Sequence, residues 1–269
     1  MKVRQAIAAC RESYLSDGGT VSTWEGDYWK ALKELPQDGK LSKLMLTKFV
    51  QNWPSGTRSR VRACTAAQKL AQSAGLDWKA GKLRGTYKAQ PVDPSKIPTD
   101  EQIEAFYHQL QNQAWRWIYG AIACYGLRPH EALKADIARQ RTGDQKFWVP
   151  SDTKTGDRRV WPLYPEWYYS MGLQRCQIPP IDLNRPNDKI GHSATEYFSR
   201  TAKMPWNLYA MRHAWARRAY YEGLADTAAA KMMGHSLELH QTTYRGWFDD
   251  LECERAYEKM LKKRTPRKL

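Results

Sequence analysis

The sequence predicts a mainly α-helical chain with a small antiparallel β-sheet, an α+β protein built from two domains. Apolar residues recur at helical spacing over most of the 269 residues. Residues 136–163 differ, because two short aromatic and β-branched runs flank a polar turn that contains glycine. The segment Lys79–Pro98 is rich in proline and basic residues and has no apolar period. We therefore predict a helical domain over residues 1–78, a linker over 79–98 and a larger domain over 99–269.

The charge balance points to a polyanionic partner. Lysine and arginine total 43 against 28 for aspartate and glutamate, so the formal net charge is +15. An excess of this size favours nucleic acid as the partner, and a basic surface kept for solubility is the alternative. Hydrophobic residues make up 42% of the chain, which excludes wholesale disorder. The longest apolar stretch, Trp117–Leu127, is too short to cross a bilayer, so we expect no membrane partner.

The cysteine pattern and the start of the chain favour a cytoplasmic protein. Five cysteines are scattered without a close pair, which argues against a disulfide framework or a zinc finger. No basic start is followed by an apolar segment of the kind that directs export. We therefore expect reduced thiols, no bound metal and a cytoplasmic location.

In the first domain, the pattern predicts short helices followed by a longer basic one. Helical spacing marks Trp29–Leu35 and Leu46–Val50, and residues 57–75 form an amphipathic helix with cations largely off its apolar face. We expect these cations and those of the linker to contact DNA phosphates, although an ordinary solvated helix face has the same pattern. The predicted DNA-binding residues are Arg58, Arg60, Arg62, Lys69, Lys82, Arg84 and Lys88.

The second domain is predicted to consist of helices around one β-hairpin. A capping box at Thr99–Gln102 starts its first helix, and Gly126 ends an apolar helix over Ala114–Tyr125. Phe147–Val149 and Val160–Leu163 are the predicted strands. Further helices are predicted over Trp206–Tyr221, Asp226–Met233, Leu237–Tyr244 and Asp249–Lys262.

Four short motifs in the second domain carry residues suited to phosphoryl chemistry. In chain order they are GLRPHEAL from Gly126, TKTG from Thr153, YAMRH from Tyr209 and MGHS from Met233, with Tyr244 nine positions after His235. Each motif alone is common by chance. The four together, in this order and with this His-to-Tyr interval, resemble the tyrosine recombinase (phage integrase) family. The resemblance covers roughly residues 99–250, and the N-terminal helices and linker are similar in pattern to the family's core-DNA-binding domain.

The resemblance implies a tyrosine recombinase catalytic fold preceded by a small helical DNA-binding domain, the two forming a basic C-shaped clamp on duplex DNA. It implies a site-specific recombinase that works through a 3′-phosphotyrosyl intermediate and a Holliday junction, without metal or ATP. The implied assembly is a homo-tetramer on DNA and a monomer in solution, associated with the nucleoid. Since only Met1–Asp17 precede the helical part, we expect no separate arm-site-binding module and a simple, symmetric DNA site.

By this resemblance, Tyr244 is the nucleophile and Lys154 the general acid that protonates the leaving 5′ oxygen. The reference pKa of a phenol is near 10, so neighbouring cations must favour its attack on phosphorus. Read singly, an aromatic on a short helix and a lysine at a turn have ordinary structural explanations. The motif order is what favours the catalytic assignment.

The remaining family positions concern the scissile phosphate. Arg128 and Arg212 would clamp its non-bridging oxygens, for which a planar and permanently charged fork is suited. His235 would donate a hydrogen bond to the phosphate, and Glu131 would hold Arg128 in place from three residues along a helix. An isolated surface salt bridge is the alternative for each arginine.

One position departs from the family pattern. Tyr209 stands three residues before Arg212, where the family more often has histidine. A phenol can donate a hydrogen bond to phosphate, but it cannot share a proton near neutral pH as imidazole does. His213 faces a different side of the helix from Arg212, and we expect it to be structural.

Two other functions stay open at this point. A type IB topoisomerase uses the same chemistry but relaxes supercoils as a monomer. A non-catalytic DNA-binding protein could keep the fold, and the residue at 209 is the one hint of it. The complete set of Arg, Lys, Arg, His and Tyr favours the recombinase.

Overall fold

The computed structural model describes residues 1–88, 92–151 and 156–244, together with residues 254, 257, 258 and 260–262. It divides into two compact units, Met1–Gln90 and Pro91–Leu269. Both consist mostly of helices, and a two-stranded antiparallel sheet lies in the second unit. The predicted fold class, mainly α with a small antiparallel sheet, is confirmed. The four described cysteines are free and buried. No helix in the described ranges has the length and apolar content that a membrane crossing requires.

The helices of the first unit pack around one apolar core. Their bounds are α1 Val3–Ser16, α2 Val21–Thr23, a π-helical turn Trp24–Trp29, α3 Lys30–Leu32, α4 Lys43–Gln51, α5 Arg58–Ser73 and a 3-10 turn Gly81–Arg84. Helices α1, α4 and α5 contribute Cys10, Leu46 and Leu70 to the core. Ser42 and Thr57 cap α4 and α5, because each hydroxyl oxygen accepts from a backbone N–H three residues on, at 3.2 Å.

Arg60, one of the predicted DNA contacts, is a structural residue. Its side chain is buried, and its guanidinium donates a hydrogen bond to the backbone oxygen of Val50 at the end of α4. Helical spacing explains the error, since Arg60 precedes the fully buried Ala63 and Cys64 by three and four residues and shares their face. Arg60 therefore links α5 to α4 through this hydrogen bond, and its burial removes it from the predicted phosphate contacts.

Both ends of the predicted linker belong to the compact units. Gln68 on α5 donates to the backbone oxygen of Trp78 and accepts from the backbone nitrogen of Ala80, both at 3.0 Å. Ala80 is buried in the first unit and Ile97 in the second. Residues 89–91, between these ends, lie outside the described residues.

The second unit places its helices around a larger core. Its elements are a 3-10 turn Pro94–Lys96, α6 Asp100–Gln109, α7 Gln113–Tyr125, α8 Pro129–Leu133, α9 Ile137–Gln140, β1 Phe147–Val149, β2 Arg158–Val160, α10 Pro165–Ser170, α11 Asn187–Glu196, a π-helical turn Tyr197–Thr201, α12 Ala210–Tyr221, α13 Asp226–Met233 and α14 Leu237–Tyr244. The capping box at Thr99–Gln102 is present. Helices α13 and α14 have the predicted bounds, whereas α12 begins four residues later than predicted. The predicted helix Asp249–Lys262 lies largely outside the described residues.

Helix α7 and its C-terminal end bring two distant parts of the chain together. Asn112 caps α7, and every residue from Trp117 to Tyr125 is buried. Gly126 ends the helix in the left-handed region, at φ +62°, and a Cβ there would lie 2.6 Å from Cγ of Trp215 on α12. Only glycine permits both the turn and this close approach. As a result, the segment that leads into Arg128 runs directly beside α12.

The β-hairpin is shorter than predicted and its second strand is shifted. Phe147 pairs with Val160 and Val149 with Arg158, so β2 begins two residues before the predicted start and Trp161 lies beyond its end. Side chains alternate along a strand, and Arg158 therefore lies on the same face as the buried Val160. The turn residues 152–155 lie outside the described residues.

Candidate active site

Three arginines from distant parts of the second unit converge on the C-terminal end of α13. Arg158, Arg212 and Arg128 donate to the backbone oxygens of residues 232, 233 and 234 in turn. The Nε of Arg158 is 2.7 Å from its acceptor and Nη2 of Arg128 is 3.1 Å from its own. Carbonyl oxygens at a helix C-terminus lack intrahelical partners and carry partial negative charge, so they attract cations. The end of α13 therefore holds a cluster of three guanidinium groups, which we call the arginine cluster.

Glu131 on α8 is the buried counter-ion of the arginine cluster. Its oxygens accept from Nη1 of Arg128 at 2.8 Å and from both terminal nitrogens of Arg158 at 3.0 and 2.8 Å. The backbone N–H of Arg128 donates to the same carboxylate at 2.8 Å. Burial alone would raise the pKa of Glu131, but the hydrogen bonds and charge of Arg158, with the charges of Arg212 and Arg128, lower it to about 2. The carboxylate is thus ionised at neutral pH and orients two of the three arginines.

Arg212 on α12 is fully buried at the centre of the cluster. Besides the carbonyl of residue 233, it donates to the backbone oxygen of Gly126, and its Nη2 is 2.9 Å from Nε2 of His235. Burial and the neighbouring charge of Arg128 lower its pKa to about 10, so the guanidinium stays charged at neutral pH. Its Nε and the Nδ1 of His235 are buried without a hydrogen-bond partner among the described residues. Such orphaned donors are uncommon in native proteins and call for a specific explanation.

Tyr244, at the end of α14, packs against two histidines beside the cluster. Its side chain is 3% exposed, and its hydroxyl oxygen lies 3.3 Å from Nδ1 of His213 on α12. The ring of His240, one turn back on α14, stands 4.8 Å away between centroids. Burial raises the pKa of the Tyr244 phenol, and the opposing effects of Arg212 and Arg128 only partly offset this. The phenol is therefore neutral, and close enough to two of the arginines to feel their charge.

The histidines around Tyr244 are neutral at neutral pH. Burial, followed by the charges of Arg212 and Arg128, lowers the pKa of His235 to about 3. Burial and Arg212 lower the pKa of His213 to about 4. Because a guanidinium can only donate, Nε2 of His235 is the acceptor of its contact with Arg212. Neutral imidazoles each keep one donor and one acceptor nitrogen, which suits hydrogen bonding or proton transfer.

Tyr209 lies at the exposed edge of the site. It is the N-cap residue of α12 and is 42% exposed. Its ring lies 5.2 Å from that of His213, one helical turn on, so the two side chains share one face of α12. Its phenol is thus accessible to solvent at this edge of the site.

The structure brings together most of the predicted catalytic residues. Arg128, Arg212, His235 and Tyr244, with Glu131 beneath them, lie around the ends of α13 and α14. Lys154, the predicted general acid, and the hairpin turn that carries it lie outside the described residues.

The sequence analysis did not predict two residues of this site as functional, although each had a signal in the sequence. Arg158 lies two positions before Val160, and strand alternation puts it on the inner face. His213 lies four residues after Tyr209 and so shares its helix face. We expected His213 to be structural because it faces away from Arg212. The face of α12 that carries His213 is the one that contacts the Tyr244 hydroxyl on α14.

The predicted DNA-binding cations of the first unit, Arg60 apart, lie on its surface. Lys69 is half-buried, with its ammonium 5.8 Å from the ring centroid of Tyr14, and Arg62 lies 3.7 Å from Asp27. The remaining four, Arg58, Lys82, Arg84 and Lys88, are exposed. These positions are compatible with phosphate contacts, and Arg60 is the one that burial removes from the set.

Comparisons with known proteins relate this chain to excisases and integrases. Residues 5–84 match a family model described as the XisA/XisC excisase second domain. Excisase A of Nostoc sp. (strain PCC 7120 / SAG 25.82 / UTEX 2576) is 32% identical over 150 residues, which are 51% of this chain and 32% of that protein. Excisase C of the same organism is 28% identical over 212 residues, 71% of this chain and 42% of that protein. The chain thus spans less than half the length of the curated relatives it matches.

Among solved structures, a lambda integrase tetramer bound to a Holliday junction is similar with a TM-score of 0.62 and 13% identity. The match covers 95% of this chain and 77% of that chain. At this identity the likeness concerns the fold. Together with the excisase relatives, it confirms the resemblance to tyrosine recombinases that the four motifs predict.

Proposed function

We propose that this chain, which has the tyrosine recombinase fold, is a site-specific DNA recombinase that cuts and rejoins duplex DNA through Tyr244. The observation that carries this proposal is the convergence of Arg128, Arg212, His235 and Tyr244, drawn from three distant stretches, around the end of α13. A buried site with several guanidinium groups and one buried carboxylate favours an anion, and a DNA phosphate fits that chemistry.

The arginine cluster supplies the electrostatic part of the reaction. Negative charge grows on the non-bridging phosphate oxygens as the fifth bond to phosphorus forms, and pre-oriented guanidinium groups stabilise that charge. Glu131 contributes by fixing Arg128 and Arg158 before the substrate arrives. The buried Nε of Arg212 and Nδ1 of His235 are two donors that a phosphate oxygen would satisfy.

Tyr244 performs the covalent step. Its hydroxyl oxygen attacks phosphorus, the bond from phosphorus to the 5′ oxygen breaks, and the DNA 3′ end stays on the enzyme as a phosphotyrosyl ester. By family resemblance, Lys154 gives the leaving 5′ oxygen its proton. The 5′-hydroxyl of a partner duplex then attacks the ester and releases the tyrosine. Since the ester conserves the bond energy, the exchange needs no ATP.

DNA binding is proposed for the basic surface of the first unit. The net charge of +15 favours a polyanion, and the exposed cations of α5 and the segment after it would contact phosphates. Four copies on two duplexes would form the exchanging complex, as in the tetrameric integrase structure. Because the matched relatives carry the name excisase, we propose excision of a DNA segment between two sites as the biological outcome.

Covalent trapping on DNA tests this proposal. The chain is incubated with a genomic DNA library and denatured rapidly, and DNA that stays covalently attached to protein is recovered and sequenced. We expect one recurrent cleavage site with the unaltered chain and with Tyr257→Phe, a control at an exposed tyrosine. We expect no covalent DNA with Tyr244→Phe.

The same trapping experiment distinguishes the recombinase from the topoisomerase-like and the non-catalytic functions. Covalent DNA that persists in Tyr244→Phe would refute the assignment of the nucleophile. Covalent attachment with relaxation of supercoils and no exchange between two sites would favour the topoisomerase-like function. DNA binding without any covalent product would leave a DNA-binding protein that keeps the fold.

A further inference from the structure

The hydroxyl of Tyr244 faces an imidazole that the proposed mechanism has not used. Nδ1 of His213 lies 3.3 Å from the phenol oxygen, and an imidazole nitrogen can accept a proton. The two rings meet edge to face, with centroids 5.8 Å apart. A proton acceptor within hydrogen-bond reach of the attacking oxygen is the first geometric requirement for general base catalysis.

The position of His213 is set by the packing of two helices. It follows Arg212 on α12, shares a helix face with Tyr209 and meets α14 at Tyr244. Ionisable groups close to it are Arg212 and Tyr209, near it in the chain, and Tyr244 on α14, whose ring also contacts that of His240. A half-buried imidazole beside a buried guanidinium is held neutral, so its Nδ1 is a hydrogen-bond acceptor when Nε2 carries the ring proton.

The other candidates for a base are less suitable. His235 uses Nε2 in its contact with Arg212. His240 contacts the ring of Tyr244, and its Nδ1 has no hydrogen-bond partner among the described residues. Tyr209 is a phenol and does not accept a proton near neutral pH. Of these four side chains, His213 is therefore the best placed to take the proton of the reacting oxygen.

We infer that His213 is the general base that takes the phenolic proton of Tyr244 as its oxygen attacks phosphorus. This inference rests on the proposed function. It also accounts for the departure at Tyr209, because the imidazole one helical turn later on the same face supplies the proton acceptor that a tyrosine at 209 lacks.

The proton balance closes in both directions. On cleavage, the O–H bond of Tyr244 breaks and its proton moves to Nδ1 of His213, while the bond from the phenol oxygen to phosphorus forms and the 5′ oxygen leaves with a proton from Lys154. On rejoining, the incoming 5′-hydroxyl gives its proton to the neutral lysine, and the imidazolium of His213 returns its proton to the departing phenol oxygen. Neither direction needs a co-reactant.

The decisive variant is His213→Asn. The amide oxygen of asparagine can accept a hydrogen bond near the place of Nδ1, but it cannot take a proton. With the duplex recovered by trapping, we expect the single-turnover cleavage rate to fall by about 10²-fold or more, while DNA affinity stays the same. His192→Gln, at an exposed histidine, is the matched control and should cleave at the unaltered rate. His213→Gln serves as a second variant if the first does not fold.

A more acidic nucleophile distinguishes a base from a positioning residue. Difluorotyrosine at position 244 has a lower phenol pKa and depends less on a base, so it should recover most of the lost rate in the His213→Asn background. It should change the rate little when His213 is present. Cleavage by His213→Asn within threefold of the unaltered chain would overturn the inference. A slow variant that difluorotyrosine does not rescue would overturn it as well. Absence of covalent DNA with the unaltered chain would instead refute the proposed function itself.

Discussion

Replacing Glu131 with glutamine is expected to destabilise the second unit strongly. The carboxylate is fully buried and accepts from Arg128, from the backbone N–H of the same residue and from both terminal nitrogens of Arg158. An amide offers one acceptor oxygen and turns an NH₂ group toward cationic donors. The variant would therefore leave guanidinium groups buried without their counter-ion.

The magnitude follows from two separate considerations. The pKa of Glu131 falls from its ordinary 4.5 to about 2, and a shift of that size corresponds to about 3 kcal/mol of folding free energy at pH 7. Removing one partner of a buried ion pair costs about 3–5 kcal/mol in other proteins. Because the folded pKa is depressed, this contribution is complete above pH 4.5 and is lost as the pH falls toward 2.

Urea unfolding, followed by tryptophan fluorescence at pH 7 and pH 3.5, measures the loss of unfolding free energy and its dependence on pH. We expect Glu131→Gln to lose about 3 kcal/mol at pH 7 and about 1 kcal/mol less than that at pH 3.5, where part of the native contribution is already gone. The exposed Glu238→Gln is the matched control and should leave the free energy of unfolding nearly unchanged at both pH values. Equal stability of the Glu131 and Glu238 variants, or a difference that does not shrink in acid, would refute this reasoning.

Three further predictions concern packing and DNA contact. Gly126→Ala should lower the free energy of unfolding, measured in urea, by about 3 kcal/mol, because the backbone there is left-handed and the new Cβ would lie 2.6 Å from Trp215. Gly143→Ala is the control, and it should lower the free energy of unfolding by about 1 kcal/mol, because the backbone is left-handed but no atom lies within 4 Å of the new Cβ. Equal losses at the two glycines would show that the close contact is not the cause. Arg60→Met should lower the stability of the first unit by about 1–3 kcal/mol, because a buried carbonyl loses its donor. Arg62→Gln should leave stability intact and reduce the slope of log affinity against log salt by about 1 in a DNA titration. A salt slope that changes in the Arg60 variant alone would contradict this assignment.

Much of the fold is readable from local patterns. The capping box at Thr99–Gln102 and the glycine that ends Asp226–Met233 involve residues close in sequence, so their signals are complete within a few positions. The predicted start of α12 at Trp206 is wrong because the apolar pattern does not show a local side-chain hydrogen bond that competes with the helix. Apolar spacing continues through residues 206–209, but Asn207 accepts from the backbone of Tyr209 and keeps this stretch outside the helix.

The residues of the candidate site also divide into those that local sequence patterns predict and those that depend on tertiary contacts. Sequence motifs predicted Arg128, Arg212, His235 and Tyr244 as site residues, because the order and spacing of motifs are a one-dimensional property. The burial of Arg60 and the role of Arg158 depend on which backbone carbonyl lies opposite each guanidinium. No local pattern contains that information, since the acceptors belong to other helices.

The helical class, the hairpin, the basic character and the residues that match the recombinase motifs all follow from the order of amino acids. The packing of helices is needed to place three guanidinium groups at the end of α13, to make Glu131 their buried counter-ion and to bring an imidazole to the Tyr244 hydroxyl. This division arises because periodicity specifies only which face of a helix is apolar. The partner of a polar side chain is set by how helices far apart in sequence pack, and here by the close approach of α12 to Gly126.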